Sequence, residues 1–342
     1  MIPYGRQHIT QADIQAVSGV LQSDFLTQGP VGPRFERAIA QRVGALHGVA
    51  VNSATSALHI ACLALGLGPG DLLWTTPITF VASANCGLYC GADIDFVDID
   101  SDTFTMSPRH LAEKLSKASQ EGRLPKVIIP VHMCGQSCDM AAIGALAKKY
   151  GVRVIEDASH AIGGQYHGRP VGCCDHSDIT VFSFHPVKII TTGEGGMAVT
   201  NSADLARHME RLRSHGITRD GAEMTHAPDG PWYYQQIELG MNYRMTDIQA
   251  ALGLSQLERL DEYVARRNIL AERYDQRLAD LPLDLPRRKM DLVSAFHLYV
   301  IRLKNASRRR ATFDGLRAAG IGVNVHYIPV HLQPHYTRMG FC

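Results

Sequence analysis

Hydrophobic and polar positions along this chain follow two periods, and the switching between them predicts most of the fold. Residues 11–21 place apolar side chains at helical spacing, and the turn-rich Ser23-Asp-Phe-Leu-Thr-Gln-Gly-Pro follows. Residues 31–46 repeat the helical pattern, with Phe35, Ala38, Ile39 and Val43 on one face. After that, short apolar runs alternate with amphipathic ones. Strands are predicted over 49–51, 72–75, 94–98, 126–131 and 152–156, and helices over 56–67, 80–90, 108–118 and 140–150. Gly68-Pro-Gly-Asp stops one helix, while Ser107 caps another that has Pro108 at its first position.

This alternation implies an α/β protein with a mostly parallel sheet and helices on both faces. In such sheets ligands bind beyond the carboxyl ends of the strands. The texture changes at Ile248. A helical pattern spans 248–278, a proline-bearing turn covers 281–286, and strand-like runs at 297–303 and 322–327 flank a helix near 311–319. A large domain over 1–247 and a small α+β domain over 248–342 are expected.

A chain of 342 residues accommodates that pairing of domains. Charged residues make up 20% and hydrophobic ones 45%, ordinary for a soluble globular enzyme. The formal charge of +1 gives no footing for a nucleic-acid partner or a membrane surface. Arg308, Arg309 and Arg310 read as the solvated start of a helix. No apolar run approaches the roughly 20 residues a membrane span needs, and the opening Met-Ile-Pro-Tyr-Gly-Arg is not a signal peptide. The eight cysteines are scattered, several in apolar segments, as in the reduced core of a cytoplasmic protein. Cys134-Gly-Gln-Ser-Cys138 beside His132 lacks a second ligand pair, so no metal site is expected.

Lys188 is the only lysine between Lys149 and Lys289. It lies between the apolar Val181-Phe-Ser-Phe and the glycine-rich Thr192-Gly-Glu-Gly-Gly. A lone amine there suits imine formation with an aldehyde cofactor, which removes the charge and activates the nitrogen. A surface lysine at a strand end is the bland alternative. Asn52-Ser-Ala-Thr-Ser links a predicted strand to a helix and offers backbone N–H groups and hydroxyls to an anion, although an ordinary N-cap has the same composition. Asp157 ends a predicted buried strand, where a carboxylate holds a pyridine nitrogen protonated or simply caps a helix. His160 reads as a neighbour of a ring oxygen or as a structural histidine. Phe80 reads as a ring stacked on the cofactor or as core. Ser183 precedes Lys188 at a strand end, placed to donate to a phosphate.

The motifs Asn52-Ser-Ala-Thr-Ser, Thr79-Phe-Val-Ala-Ser-Ala-Asn, Glu156-Asp-Ala-Ser-His, Ser183-Phe-His-Pro-Val-Lys, Thr192-Gly-Glu-Gly-Gly and Gly240-Met-Asn-Tyr-Arg-Met occur in order along almost the whole chain. Together they resemble the DegT/DnrJ/EryC/StrS nucleotide-sugar aminotransferases. The resemblance implies the aspartate-aminotransferase-like fold, pyridoxal 5'-phosphate as cofactor, and a homodimer with shared active sites. It implies that Lys188 binds the cofactor aldehyde and that Asp157 pairs with the ring nitrogen. Ala54, Thr55 and Ser183 would hold the phosphate, Phe80 would stack on the ring, and Asn242 would reach the phosphate or substrate from the neighbouring subunit. Substrate contacts would come from Tyr4, Asp24, Phe25, Leu26, Thr27, Asn324, Val325, His326 and Tyr327, alongside Ala54, Ser183 and Asn242.

The implied reaction moves an amino group from L-glutamate to the C4 keto group of a UDP-linked 2-acetamido-2,6-dideoxy-4-hexulose. Perosamine- or aminoarabinose-type 4-ketosugars are the alternatives within the family. Dehydratases of the same fold carry histidine in place of Lys188, and a non-catalytic binding protein would need none of these groups. Two departures stand out. Many members have glutamine where His160 stands. Members also continue for a few tens of residues past a His-Tyr-x-Pro segment, whereas this sequence stops at Cys342, so either a tail is missing or the small domain is completed differently.

Overall fold

Seven short runs rich in aliphatic residues build the central sheet: β1 (His47–Val51), β2 (Leu72–Thr75), β3 (Asp93–Phe96), β4 (Val127–Ile129), β5 (Arg153–Asp157), β6 (Ile179–Ser183) and β7 (Gly196–Thr200). The computed structural model describes residues 1–341. The spatial order is β1-β7-β6-β5-β4-β2-β3. Pairing is parallel from β6 through β5, β4 and β2 to β3, whereas β7 runs antiparallel to both β1 and β6. The expected mostly parallel α/β sheet is thus present. Strands β6 and β7 are buried at all positions, because helices cover both faces of the sheet.

Side-chain alternation assigns the two faces. Val49, Val51, Leu73, Val127, Ile129, Ile155 and Val181 pack against α3 (Ala54–Ala64), α4 (Ala82–Tyr89) and α7 (Ala203–Leu212). On the other face Trp74, Ile128 and Val154 meet α5 (Pro108–Gln120) and α6 (Met140–Tyr150). Ala50, Phe182, Met197 and Val199 join Phe35 and Ile39 of α2 (Val31–Val43). The opening helix α1 (Gln11–Leu21) packs on α8 (Asp247–Leu257).

Several boundaries move for identifiable reasons. The helix expected to reach residue 46 stops at Val43, because Gly44 adopts φ 77° and its N–H caps the last turn. Ser107 and Pro108 start α5 as expected, with Ser107 accepting the His110 N–H. The pattern over 248–278 is two helices, α8 and α9 (Leu260–Leu278), separated at Glu258 and Arg259. The run 297–303 is not a full strand: only Arg302–Leu303 pairs, antiparallel to Leu283–Asp284. The Arg267 guanidinium takes the Phe296 and His297 carbonyls, and Leu298 N–H donates to Cys134 O, so these groups are satisfied without a ladder. The run 322–327 is likewise irregular, tied to the rest by an Ile2–Ile321 bridge and by Gly322 N–H to Ile2 O. The three consecutive arginines do begin a solvated helix, α10 (Arg309–Ala318).

Candidate active site

The antiparallel insertion of β7 brings three chain segments to one edge of the sheet. Gly196 opens β7 and stands opposite both Val51, the last residue of β1, and Ser183, the last of β6. Asn52 and Ser53 therefore leave β1 beside Ser183, and α3 begins there. Ser53 caps it by accepting the Ser56 N–H at 3.1 Å. A Cβ on Gly196 would lie 2.5 Å from the backbone of Ser53 and Ala54, so only glycine lets the start of α3 descend onto the sheet. Ala54 and Thr55 occupy the first turn, where N–H groups lack intrahelical partners. Ser183 ends β6 beside that turn, so these N–H groups and its hydroxyl stand at one edge of the sheet, donors of the kind an anion takes.

Asp157 ends β5. Alternation turns it to the face of Ile155, toward α4, and turns Glu156 to the opposite face. Asp157 is buried; its Oδ2 accepts the Ser83 hydroxyl at 2.7 Å and its Oδ1 the Ser159 N–H at 3.1 Å. Glu156 belongs to a separate network, in which His132 Nε2 lies 2.7 Å away and Thr180 donates at 3.1 Å. Burial alone would raise the Glu156 carboxyl, but its donors outweigh that and hold it below the usual range. His132, read alongside Cys134 and Cys138 in the sequence, thus serves Glu156, and its Nδ1 accepts the Cys138 N–H at 3.1 Å.

Lys188 sits in the turn after β6, its N–H bonded to His185 O at 2.8 Å. Burial pushes its amine down to about 8, opposed by the Asp157 carboxylate. Burial and then the Lys188 charge drive His160 well below its ordinary value, and act in the same order on His297 and His326. These imidazoles are therefore neutral neighbours of the lysine. His160 Nδ1 accepts the Cys134 N–H at 3.3 Å, which leaves its proton on Nε2, and its ring centroid is 4.4 Å from that of His297.

The other expected residues divide into two groups. Tyr4 and His326 come together across the chain, with Tyr4 Oη 2.7 Å from His326 Nε2, and burial pushes the Tyr4 phenol up to about 12. Gly5 lies near Val187, so this N-terminal segment passes beside the lysine turn. Tyr327 meets Phe80 at 6.4 Å between ring centroids, and Phe80 remains 58% exposed, leaving its face open to a second ring. Asn324 and Val325 are exposed just before this pair. Asp24, Phe25, Leu26 and Thr27 form an exposed loop pinned to the start of α8 through a Thr27–Thr246 bridge and Asp247 N–H to Leu26 O. Asn242 is exposed too, next to Tyr243, whose carbonyl accepts the Asn52 N–H. Neither the loop nor Asn242 is hydrogen-bonded to the residues around Lys188 among the described residues.

His297 carries no functional signal of its own in the sequence, and Gly196 shows there only as the end of a glycine-rich turn. Ser83 and Thr79 were visible only as small polar residues four apart in a motif. His297 opens the run 297–303, whose pattern predicts a strand.

The residues present fit pyridoxal phosphate. An amine with a depressed pKa, a buried carboxylate on a separate strand and an anion cradle floored by an obligatory glycine are the three donor sets its aldehyde, ring nitrogen and phosphate require. The profile of the DegT/DnrJ/EryC1/StrS aminotransferase family matches residues 7–340. The chain belongs to that family. It is a pyridoxal-phosphate-dependent sugar aminotransferase, with the fold that the motifs implied. It is 40% identical to the spore coat polysaccharide biosynthesis protein SpsC of Bacillus subtilis, over 98% of this chain and 86% of the relative. It is 39% identical to the UDP-4-amino-4,6-dideoxy-N-acetyl-β-L-altrosamine transaminase of Campylobacter jejuni, over 99% of this chain and 87% of that enzyme. Among solved structures it resembles Helicobacter pylori PseC, an aminotransferase of pseudaminic acid biosynthesis. The TM-score is 0.89 and the identity 32%, over 99% of this chain and 88% of PseC. Among the described residues no helix is long and apolar enough to cross a membrane.

Proposed function

We propose that this aminotransferase moves the amino group of L-glutamate to the C4 keto group of a UDP-linked 2-acetamido-2,6-dideoxy-4-hexulose. The product is UDP-4-amino-4,6-dideoxy-N-acetyl-β-L-altrosamine, for pseudaminic acid biosynthesis in the cytoplasm. The observation that carries the transamination chemistry is Lys188, a largely buried amine with its pKa lowered to about 8 and the Asp157 carboxylate in range. The likeness to the Campylobacter jejuni transaminase supports the choice of sugar.

The bound cofactor supplies the aldehyde that carries the amino group and the ring that draws electron density from the reacting carbon. This chain's residues do the rest. Lys188 Nζ takes the α proton of glutamate in one half-reaction and delivers a proton to C4 of the sugar in the other; an amine titrating near neutrality suits both directions. Asp157 keeps the ring nitrogen protonated, as an adjacent opposite charge favours the cationic form. Ala54, Thr55 and Ser183 hold the phosphate, joined by Asn242 from the neighbouring subunit of a homodimer. His160 would offer its Nε2 proton to the cofactor's ring oxygen, and Phe80 would lie against its ring. Tyr4, Asn324, Val325, His326 and Tyr327, with the loop of Asp24, Phe25, Leu26 and Thr27, enclose the sugar nucleotide. In this reading residues 1–247 are the cofactor-bearing domain and 248–342 the small domain.

A second sugar remains in play because the relative of greater identity, at 40%, is a spore coat polysaccharide protein. Incubating the enzyme with glutamate and a panel of UDP- and dTDP-4-ketosugars, read by mass spectrometry, separates the two. Amination confined to the L-configured UDP-N-acetyl ketosugar is expected. A preference for a dTDP-sugar would refute the assignment.

A further inference from the structure

Asp157 stands at the end of a relay of two hydroxyls that the chemistry above does not use. Ser83 Oγ is 2.7 Å from Asp157 Oδ2 and 2.8 Å from Thr79 Oγ1. All three residues are buried, with 0% of Ser83, 2% of Thr79 and 5% of Asp157 exposed. The bonding has a direction. Ser83 has one hydroxyl proton, and an ionised carboxylate has none to give, so that proton lies toward Asp157 at 2.7 Å rather than toward the Phe80 carbonyl at 3.4 Å, and Thr79 donates to Ser83. The relay is local to the entry of α4. Ser83 N–H bonds to Phe80 O at 3.2 Å, so one turn of chain carries both hydroxyls and the aromatic ring read above as the cofactor's cover.

A carboxylate has about four lone-pair positions. Two are occupied here, one by Ser83 and one by the Ser159 N–H. With both oxygens anchored, rotation of the group about its own axis is blocked, and the remaining lone pairs point in fixed directions. We propose that Ser83, backed by Thr79, is a positioning residue that aims the Asp157 carboxylate at the cofactor's ring nitrogen. This inference rests on the reading of Asp157 as the partner of that nitrogen, which the experiment tests separately.

The measurement is the affinity of the enzyme for pyridoxal phosphate and for its 1-deaza analogue, in which a ring C–H replaces the nitrogen, by equilibrium dialysis with fluorescence detection. Ser83→Ala is expected to weaken binding of the natural cofactor about tenfold and to change binding of the analogue less than about twofold. Ser83→Thr, which keeps a hydroxyl, should restore the difference between the two ligands. Thr79→Val should shift it in the same sense by about threefold, and carries the test if Ser83→Ala does not fold. Equal losses for both ligands, or none for either, would overturn the proposal. Asp157→Asn keeps the two failures apart. If it discriminates between the ligands while the hydroxyl variants do not, the relay has no positioning role and the ring-nitrogen reading survives. If Asp157→Asn itself fails to discriminate, both fall.

Discussion

Lys188 and Asp157 lie 31 positions apart in the sequence, and each is unremarkable in its own segment. What distinguishes them is mutual: the lysine amine is held near 8 by burial while the carboxylate opposes that shift. The consequence can be measured in cofactor capture by the apoenzyme. Only the neutral amine attacks an aldehyde, so the capture rate should rise with pH up to about 8 and then level off, falling roughly tenfold per unit below it. Stopped-flow absorbance reads this directly, and a rate still climbing between pH 9 and 10 would contradict a depressed amine. Lys188→Ala should abolish both the absorbance that belongs to the lysine-linked cofactor and the turnover; full activity in that variant would exclude Lys188 as the proton carrier. The lysine was legible in the sequence because it is solitary between an apolar run and a glycine turn. Ser83 was not, because a serine near a helix start is ordinary until the strand opposite is known.

At the scale of elements, α1 is fastened by one carboxylate. Asp13, 1% exposed, accepts Arg259 Nη2 on both oxygens at 2.8 and 2.7 Å, Ser255 Oγ at 2.6 Å and Gln256 Nε2 at 3.0 Å. Burial would raise this carboxyl, yet these donors, Arg259 first, hold it well below the usual range. Asp13→Asn turns an amide N–H₂ toward donors and leaves Arg259 without its counter-charge, at a cost of about 3 kcal/mol. Urea unfolding at pH 7 should show that loss. A carboxyl whose folded pKa is depressed contributes in full above the unfolded value and loses its contribution as pH falls through the folded one. The deficit of the variant should therefore be constant from pH 7 to 5 and shrink only below about 4. A deficit that vanished already by pH 6 would show that another group is responsible. Boundaries set by local chemistry, such as the Ser107–Pro108 start of α5, were readable in advance. The strand expected over 297–303 was not, because Arg267 from a distant helix supplies the donors that a ladder would have provided.

The whole molecule is expected to act as a dimer. Phe25 is 52% exposed, Leu26 48%, Trp232 71% and Leu239 78%, large apolar surfaces for a lone subunit. Asn242 is proposed to complete its neighbour's site. Sedimentation at micromolar concentration should give twice the chain mass of 37.5 kDa, and a monomer with full turnover would refute the shared site. The sequence by itself determined the period of the alternating elements from α1 to β5, the mostly parallel character of the sheet, the solitary lysine and the acidic strand end, since these follow from local spacing, propensity and residue type. Tertiary structure alone decided that β7 enters antiparallel and so brings Gly196, Ser183 and the start of α3 to one edge. It also decided that Ser83 meets Asp157 and that Tyr4 meets His326. Those meetings depend on strand order and on which face a side chain takes, and strand order is fixed by the packing of the whole sheet rather than by any short stretch of chain.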